Sequence, residues 1–320
     1  MESSTHRTFG RTGLQMPRVV FGATCLGNLF VAMSDGAKRD LVRQWFTSMP
    51  KPVAIDSAGK YGAGLSLEVI GRELSSLGVE PEDVILSNKL AWRRVPLTAS
   101  EPTFEPGVWI DLEYDAVQDI SYDGILRCHE DGCRMLGDYP PQLLSVHDPD
   151  EYLDAASDVN DRLKRMKDIL GAFRALGELR DAGQISGVGI GVKDWRTIQE
   201  LDGLCNLDWV MMANSFTIMQ HPHELMNFID SLAERKIAVI NSAVMHGGFL
   251  VGGEFFDYRT LDPDDAADAQ RLRWRSRFAD ICRQHECSPF DVAVGFGVSH
   301  PGITSVALST SRADRCLLYT

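Results

Sequence analysis

An eight-fold alternation of β-strands and helices, closing as a (β/α)8 TIM barrel, is the fold class this sequence predicts. Short Val/Ile-rich runs, unbroken by charge, recur eight times and read as strands buried on both faces. Longer amphipathic segments separate them, as parallel strands require. The doubly wound alternative is disfavoured, because "FGATCLGN" after the first strand is not the G-x-G-x-x-G fingerprint.

In chain order the strand candidates are RVVFGA (18–23), PVAID (52–56), DVILSNK (83–89), QLLSVHD (142–148), ISGVGIGV (185–192), LDWVMMANS (207–215), IAVINSAV (237–244) and ITSVALST (303–310). Seven helical segments fall between them. The segment 66–77 carries Leu67, Ile70, Leu74 and Leu77 at three- and four-residue spacing. Segments 122–137, 169–183, 223–236 and 269–285 are patterned alike, and Gly183 suits the position just past a helix end. A last helix is expected from Arg312. Eight βα units close more naturally as a barrel than as an open sheet. No linker divides the chain, so the expectation is one domain over 1–320 with its last helix cut short. Two long insertions, 91–121 after the third strand and 252–265 after the seventh, are suited to lining a pocket.

Composition narrows the partners. The chain carries a formal net charge of −13 and no block of Lys/Arg, which argues against nucleic acid because phosphate contacts need a basic face. No run of about 18 apolar residues exists to span a bilayer. The polar start "MESSTHRTFGRTGLQ" lacks the apolar stretch of a secretory signal. A cytoplasmic monomer or small homo-oligomer, away from membranes, is expected. The seven cysteines form no C-x-x-C pair, which points to free thiols and no metal site.

In a barrel, chemistry sits at the C-terminal strand ends. Here three successive strands carry Asp56, Lys89 and His147 at those ends, and Tyr61 follows the second strand in its loop. Singly, each has an ordinary structural reading: a turn cap, a solvated lysine, a core histidine, a packed ring. Together they are a poor way to fill an apolar core and a good way to tune proton transfer. A free tyrosine ionises near pH 10, roughly. A lysine ammonium against the phenol is expected to lower that value, with Asp56 holding Lys89 in place and His147 orienting a substrate oxygen. Such a set suits hydride transfer, with a nicotinamide supplying the redox group. A Schiff-base barrel built on Lys89 is the rival, but an imine-forming lysine must be neutral, and Asp56 argues against that.

"IDSAGKYGAGLSLEVIGREL" resembles the D-T-A-x-x-Y-G signature of the aldo-keto reductase superfamily, and "SNK" and "SVHDPD" resemble its lysine and histidine strands. The similarity runs from "FGRTGLQMPRVVFGATCLGNLF" to "SVALSTSRAD". It implies a catalytic tetrad of Asp56, Tyr61, Lys89 and His147. "VHDPDEY", "GVGIGVKDW" and "VINSAVMHGGFL" resemble the branch of L-galactose, L-fucose and D-threo-aldose 1-dehydrogenases and pyridoxal 4-dehydrogenase. That branch implies NAD(P)-dependent oxidation of a sugar-like hemiacetal to a lactone. The alternatives are a general aldehyde or ketone reductase and a non-catalytic cofactor-binding relative.

By position, the resemblance places NADP or NAD against Gly22, Ala23, Thr24, Asp56, Gly191, Lys193, Asn241, Ser242, Gly248 and Leu250. Its phosphates fall near Ser309, Thr310, Ser311 and Arg315. Lys193 stands where the branch often has Asn, and Gly191-Val192 where the superfamily usually has a Ser-Asn pair. Trp92, Arg93, Asp123 and His246 are the expected polar wall of the substrate pocket.

Overall fold

The computed structural model describes residues 6–319; residues 1–5 and 320, the outer ends of the expected 1–320 domain and the first part of its polar start, lie outside the described residues. Eight parallel strands pair in chain order and close into a barrel: β1 (Val19–Gly22), β2 (Val53–Ala58), β3 (Val84–Leu90), β4 (Leu143–His147), β5 (Gly187–Val192), β6 (Trp209–Ala213), β7 (Ala238–Ser242) and β8 (Ser305–Leu308). Their ends differ from the sequence expectation by two residues at most.

The surrounding helices are α1 (Asp35–Ser48), α2 (Leu65–Ser76), α3 (Tyr122–Leu136), α4 (Pro149–Asp154), α5 (Val159–Asp181), α6 (Trp195–Leu201), α7 (His223–Glu234), α8 (Ala266–Gln284) and α9 (Pro289–Gly297). Leu67, Ile70 and Leu74 of α2 are buried, as their spacing requires. Helix α5 begins ten residues earlier than its apolar pattern, because none of its residues before Ile169 is fully buried. Asp158 starts it instead, accepting from the backbone N–H groups of Asn160 and Asp161. After β8 the expected α-helix from Arg312 is a 3-10 helix, Ala313–Tyr319, whose Cys316 packs in one cluster with Trp45 and Phe21.

Inside the barrel the strand period of two sorts residues into layers. Val20, Ala54, Ile85, Leu143, Trp209 and Ala238 form an apolar floor. An N-terminal hairpin, His6–Thr8 with Gln15–Pro17, seals that end by sending Phe9 and Met16 into the same cluster. Its three-residue strands carry too little pattern to be read from sequence.

Strand β5 presents glycines inward at 187, 189 and 191, and the last two make room for the long side chains of Trp209 and Lys89. A Cβ on Gly189 would lie 2.2 Å from the Trp209 indole, and one on Gly191 would lie 3.0 Å from Cδ of Lys89. The run "GVGIGV" is therefore a groove for two specific neighbours. Gly189→Ala is expected to cost about 1–3 kcal/mol by overpacking. Urea denaturation checks this, and Trp209→Phe in the same chain should recover part of the loss.

Candidate active site

Two or four residues above the apolar floor, the same inward faces turn polar. On β2 Ala54 is followed inward by Asp56, on β3 Ile85 by Ser87 and Lys89, and on β4 Leu143 by Ser145 and His147. Strand parity alone thus aims the three strand-end groups into the barrel mouth. Lys89 and Asp56 form an ion pair with both side chains almost wholly buried. Ser87 Oγ donates to the second Asp56 oxygen at 2.9 Å, and Lys89 Nζ donates to the Ser57 carbonyl at 3.3 Å. Each charge is therefore paired and further hydrogen-bonded, which is the condition for keeping it out of water.

Tyr61 is returned over this pair by a tight turn. Gly62 adopts φ +62°, and a Cβ there would lie 2.4 Å from the Gly27 carbonyl oxygen, so the Tyr61 loop presses directly on the turn after β1. Lys89 Nζ lies 4.7 Å from the centroid of the Tyr61 ring. The His147 ring meets Tyr61 edge-on at 5.7 Å. The four expected residues are together.

Their protonation differs from the expectation in one respect. The Tyr61 phenol is pushed well above its ordinary value, by burial first and then by the charge of Asp56. Lys89 does not reverse this because it faces the ring and its charge is matched by Asp56. His147 is held well below its ordinary value by burial and by the charges of Lys89, Lys60 and Lys193. At neutral pH the site therefore presents a protonated phenol and a neutral imidazole. His147 Nδ1 is buried and unpartnered among the described residues.

These groups line a cleft of about 430 Å³. Gly22, Thr24, Gly191, Lys193, Ser242, Gly248, Ser309, Thr310, Ser311 and Arg315 all line it. Gly22 approaches β8 so closely that a Cβ would lie 3.3 Å from the Ser309 Cβ. Arg312 is engaged by Asp314, its Nε donating at 3.1 Å, which leaves Arg315 as the arginine on the cleft wall. Lys193 is tied to Glu151 and lies 5.4 Å over the Tyr258 ring. Burial opposes its charge, but Asp148 and Glu151 raise its pKa overall.

Seven expected contacts lie elsewhere. Ala23 is fully buried, its N–H donating to the Asp56 carbonyl at 2.9 Å. Asn241 alternates outward from Ser242 and donates to the carbonyls of Phe216 at 2.8 Å and Gly297 at 2.9 Å. Leu250 packs with Phe278 and Cys282 beneath the β7 loop. Trp92 lies under Lys60, whose Nζ is 4.9 Å from its ring centroid. Arg93 pairs with Asp119 at 3.4 Å. Asp123 is exposed on the first turn of α3. His246 is buried between Thr217 at 2.9 Å and Asp257 at 3.1 Å.

Other residues take the wall instead. Between the paired segments Trp92–Pro96 and Tyr114–Gln118, the first insertion carries Glu105 and Trp109 over the cleft. The second forms a small hairpin, Phe255–Phe256 with Arg259–Thr260, whose tip residue Tyr258 reaches the cleft. Lys60 and Asp148 flank Tyr61 and His147 in sequence, so adjacency was their one available signal. Asn214, at the end of β6, also lines the cleft, and its Oδ1 is buried without a partner among the described residues.

The barrel and cleft define a (β/α)8 protein with a cluster of ionisable groups in the pocket at its strand ends. The sequence profile of the Aldo/keto reductase family matches residues 18–317, and the chain belongs to that family. It is an NAD(P)-dependent oxidoreductase of small-molecule carbonyl compounds. It is 29% identical to pyridoxal 4-dehydrogenase from Microbacterium luteolum, over 98% of this chain and 92% of that one. It is also 29% identical to D-threo-aldose 1-dehydrogenase from a Pseudomonas species, over 97% and 90%. The glycerol dehydrogenase AKR11B4 from Gluconobacter oxydans shares the fold, with a TM-score of 0.68 at 16% identity over 98% of this chain and 88% of that one. Among the described residues no helix is long and apolar enough to cross a membrane.

Because both charges are buried, Lys89→Met strands Asp56 and is expected to cost about 3–5 kcal/mol. Adding Asp56→Asn should restore part of that, measured as a double-mutant cycle in denaturant.

Proposed function

We propose that this enzyme oxidises the hemiacetal carbon of a sugar-like ring to a lactone, with Tyr61 moving the proton. The observation carrying this reading is Tyr61 set over the buried Lys89–Asp56 pair and beside a neutral His147. When bound, the nicotinamide supplies or receives the hydride. The hydroxyl proton of the substrate needs an acceptor as its C–H bond breaks, and ionised Tyr61 Oη takes it. In the reverse direction the protonated phenol donates. Neutral His147 offers the substrate oxygen a hydrogen-bond partner without adding charge.

Dinucleotide binding falls to the other cleft residues. Gly191 and the unpartnered Oδ1 of Asn214 suit the carboxamide end, and Ser309, Thr310, Ser311 and Arg315 suit the phosphates. Lys193 is committed to Glu151 and belongs to the substrate wall. The full-length similarity to two dehydrogenases, one of an aldose and one of pyridoxal, favours hemiacetals over simple aldehydes.

Turnover of L-fucose, L-galactose, D-arabinose and pyridoxal against simple aldehydes, scored for lactone formation, tests the substrate class. Absence of lactone from every ring substrate would sink it. Tyr61→Phe should lower kcat by ~10²–10⁴-fold with the fold retained by circular dichroism. Since the Tyr61 pKa is raised, its acid form persists above neutrality. Oxidation should climb with pH into the alkaline range, whereas reduction should stay level until the phenol ionises. Arg315→Ala should weaken NADP+ more than NAD+ in fluorescence titration if the 2′-phosphate is recognised there.

A further inference from the structure

Five charged side chains, carried by the segments that follow β2, β3, β4 and β5, meet beside Tyr61, and beyond the effect of Lys60 and Lys193 on His147 the proton-transfer reading gives them no role. Lys60 Nζ binds Glu105 at 2.8 Å, Asp148 at 3.0 Å and Glu151 at 3.4 Å, and Glu151 also binds Lys193. Three carboxylates thus face two ammonium groups. Asp257, on the second insertion, adds another carboxylate to the cleft wall beside buried His246.

Access differs as much as number. Lys60 and Glu105 both line the cleft, but the Lys60 side chain is 4% exposed against 29% for Glu105. Lys193, 36% exposed, reaches the cleft too, but its ammonium is occupied by Glu151, itself 41% exposed. An incoming anion would have to break one of these pairs and approach Glu105 and Asp148, while a neutral hydroxyl meets an acceptor already held in place. Glu105 is held by a ring of contacts. Its Oε2 accepts from Trp109 Nε1 at 2.8 Å, the Trp109 ring packs on Tyr61 at 5.8 Å, and Lys60 precedes Tyr61 in the chain.

We infer that Glu105 is a specificity-determining residue: its partly exposed carboxylate receives the hydroxyls of a neutral polyhydroxylated ring and turns away substrates bearing carboxylate or phosphate. The hydroxyl half of this inference rests on the hemiacetal reading above; the charge half needs only a carbonyl substrate in the same cleft. Lys60 acts as a positioning residue that fixes Glu105 against Tyr61.

The test uses two pairs of compounds and two readouts. The pairs are 4-(hydroxymethyl)benzaldehyde against 4-carboxybenzaldehyde, and a neutral aldose against its 6-phosphate. Absorbance of reduced nicotinamide reads turnover, and quenching of tryptophan fluorescence in the NADP-loaded enzyme reads binding. The native enzyme should prefer each neutral member by about tenfold or more. Glu105→Gln should shrink that preference several-fold and raise KM for the neutral aldose more than it lowers kcat, and Glu105→Asp should recover part of both. Equal or better use of the anionic members by the native enzyme overturns the inference, as does an unchanged ratio in Glu105→Gln. If the aldehyde pair discriminates as expected but no aldose is turned over or bound, the hydroxyl half and the hemiacetal reading fail while the charge screen stands.

Discussion

The buried Lys89–Asp56 pair is the constraint around which the upper half of this barrel is arranged. Two charges out of water need each other, and each also needs hydrogen bonds to its remaining sites. Ser87 and the Ser57 carbonyl supply them from the strands that carry the pair. The Lys89 stem must also cross the barrel mouth, and it has room because β5 shows a bare glycine at 191. Tyr61 then closes over the ammonium, and His147 closes against Tyr61. Removing either member of the pair leaves the other as a buried, unpaired charge.

The same pair explains why the phenol stays protonated at rest. A lysine lowers a neighbour's pKa only by the charge it has left to offer, and Asp56 matches that charge. Burial then dominates, and the phenol rises while the imidazole falls. The opposite directions follow from one cause, because loss of solvent disfavours the charged form of either group. A resting acid beside a neutral hydrogen-bond partner is the state in which a carbonyl can be reduced without prior proton rearrangement.

Around this centre, the two insertions wall the barrel mouth into a cleft. The first is tied to the β1 loop by backbone bonds, Phe30 N–H to Val108 at 2.8 Å and Ile110 N–H to Asn28 at 3.1 Å. The second stacks Phe255 on Phe30 at 4.3 Å between ring centroids. One short loop after β1 therefore anchors both, which couples the wall near Tyr61 to the strap carrying Tyr258.

The sequence by itself determined the eight strands, their order and the meeting of Asp56, Tyr61, Lys89 and His147. For Asp56, Lys89 and His147 the reason is strand parity: once β2, β3 and β4 are registered, residues two apart share a face, and the strand ends are forced to one rim, while loop residue Tyr61 was legible only from the motif it shares with Asp56. It could not say which neighbours of those ends would matter. Asn241 and Ser242 are equally polar, yet one faces the helices and the other the cleft. Trp92 and Arg93 lie in the expected insertion, but Glu105 and Trp109, further along a stretch with no regular period, reach the site. Loop residues are placed by what they meet, such as Gly62 against Gly27 or Glu105 against Lys60, and no local pattern encodes those encounters. Only the closed barrel, which brings the loops after β1, β2, β3, β4 and β5 within reach of one another, decides the walls around a centre the sequence had already placed.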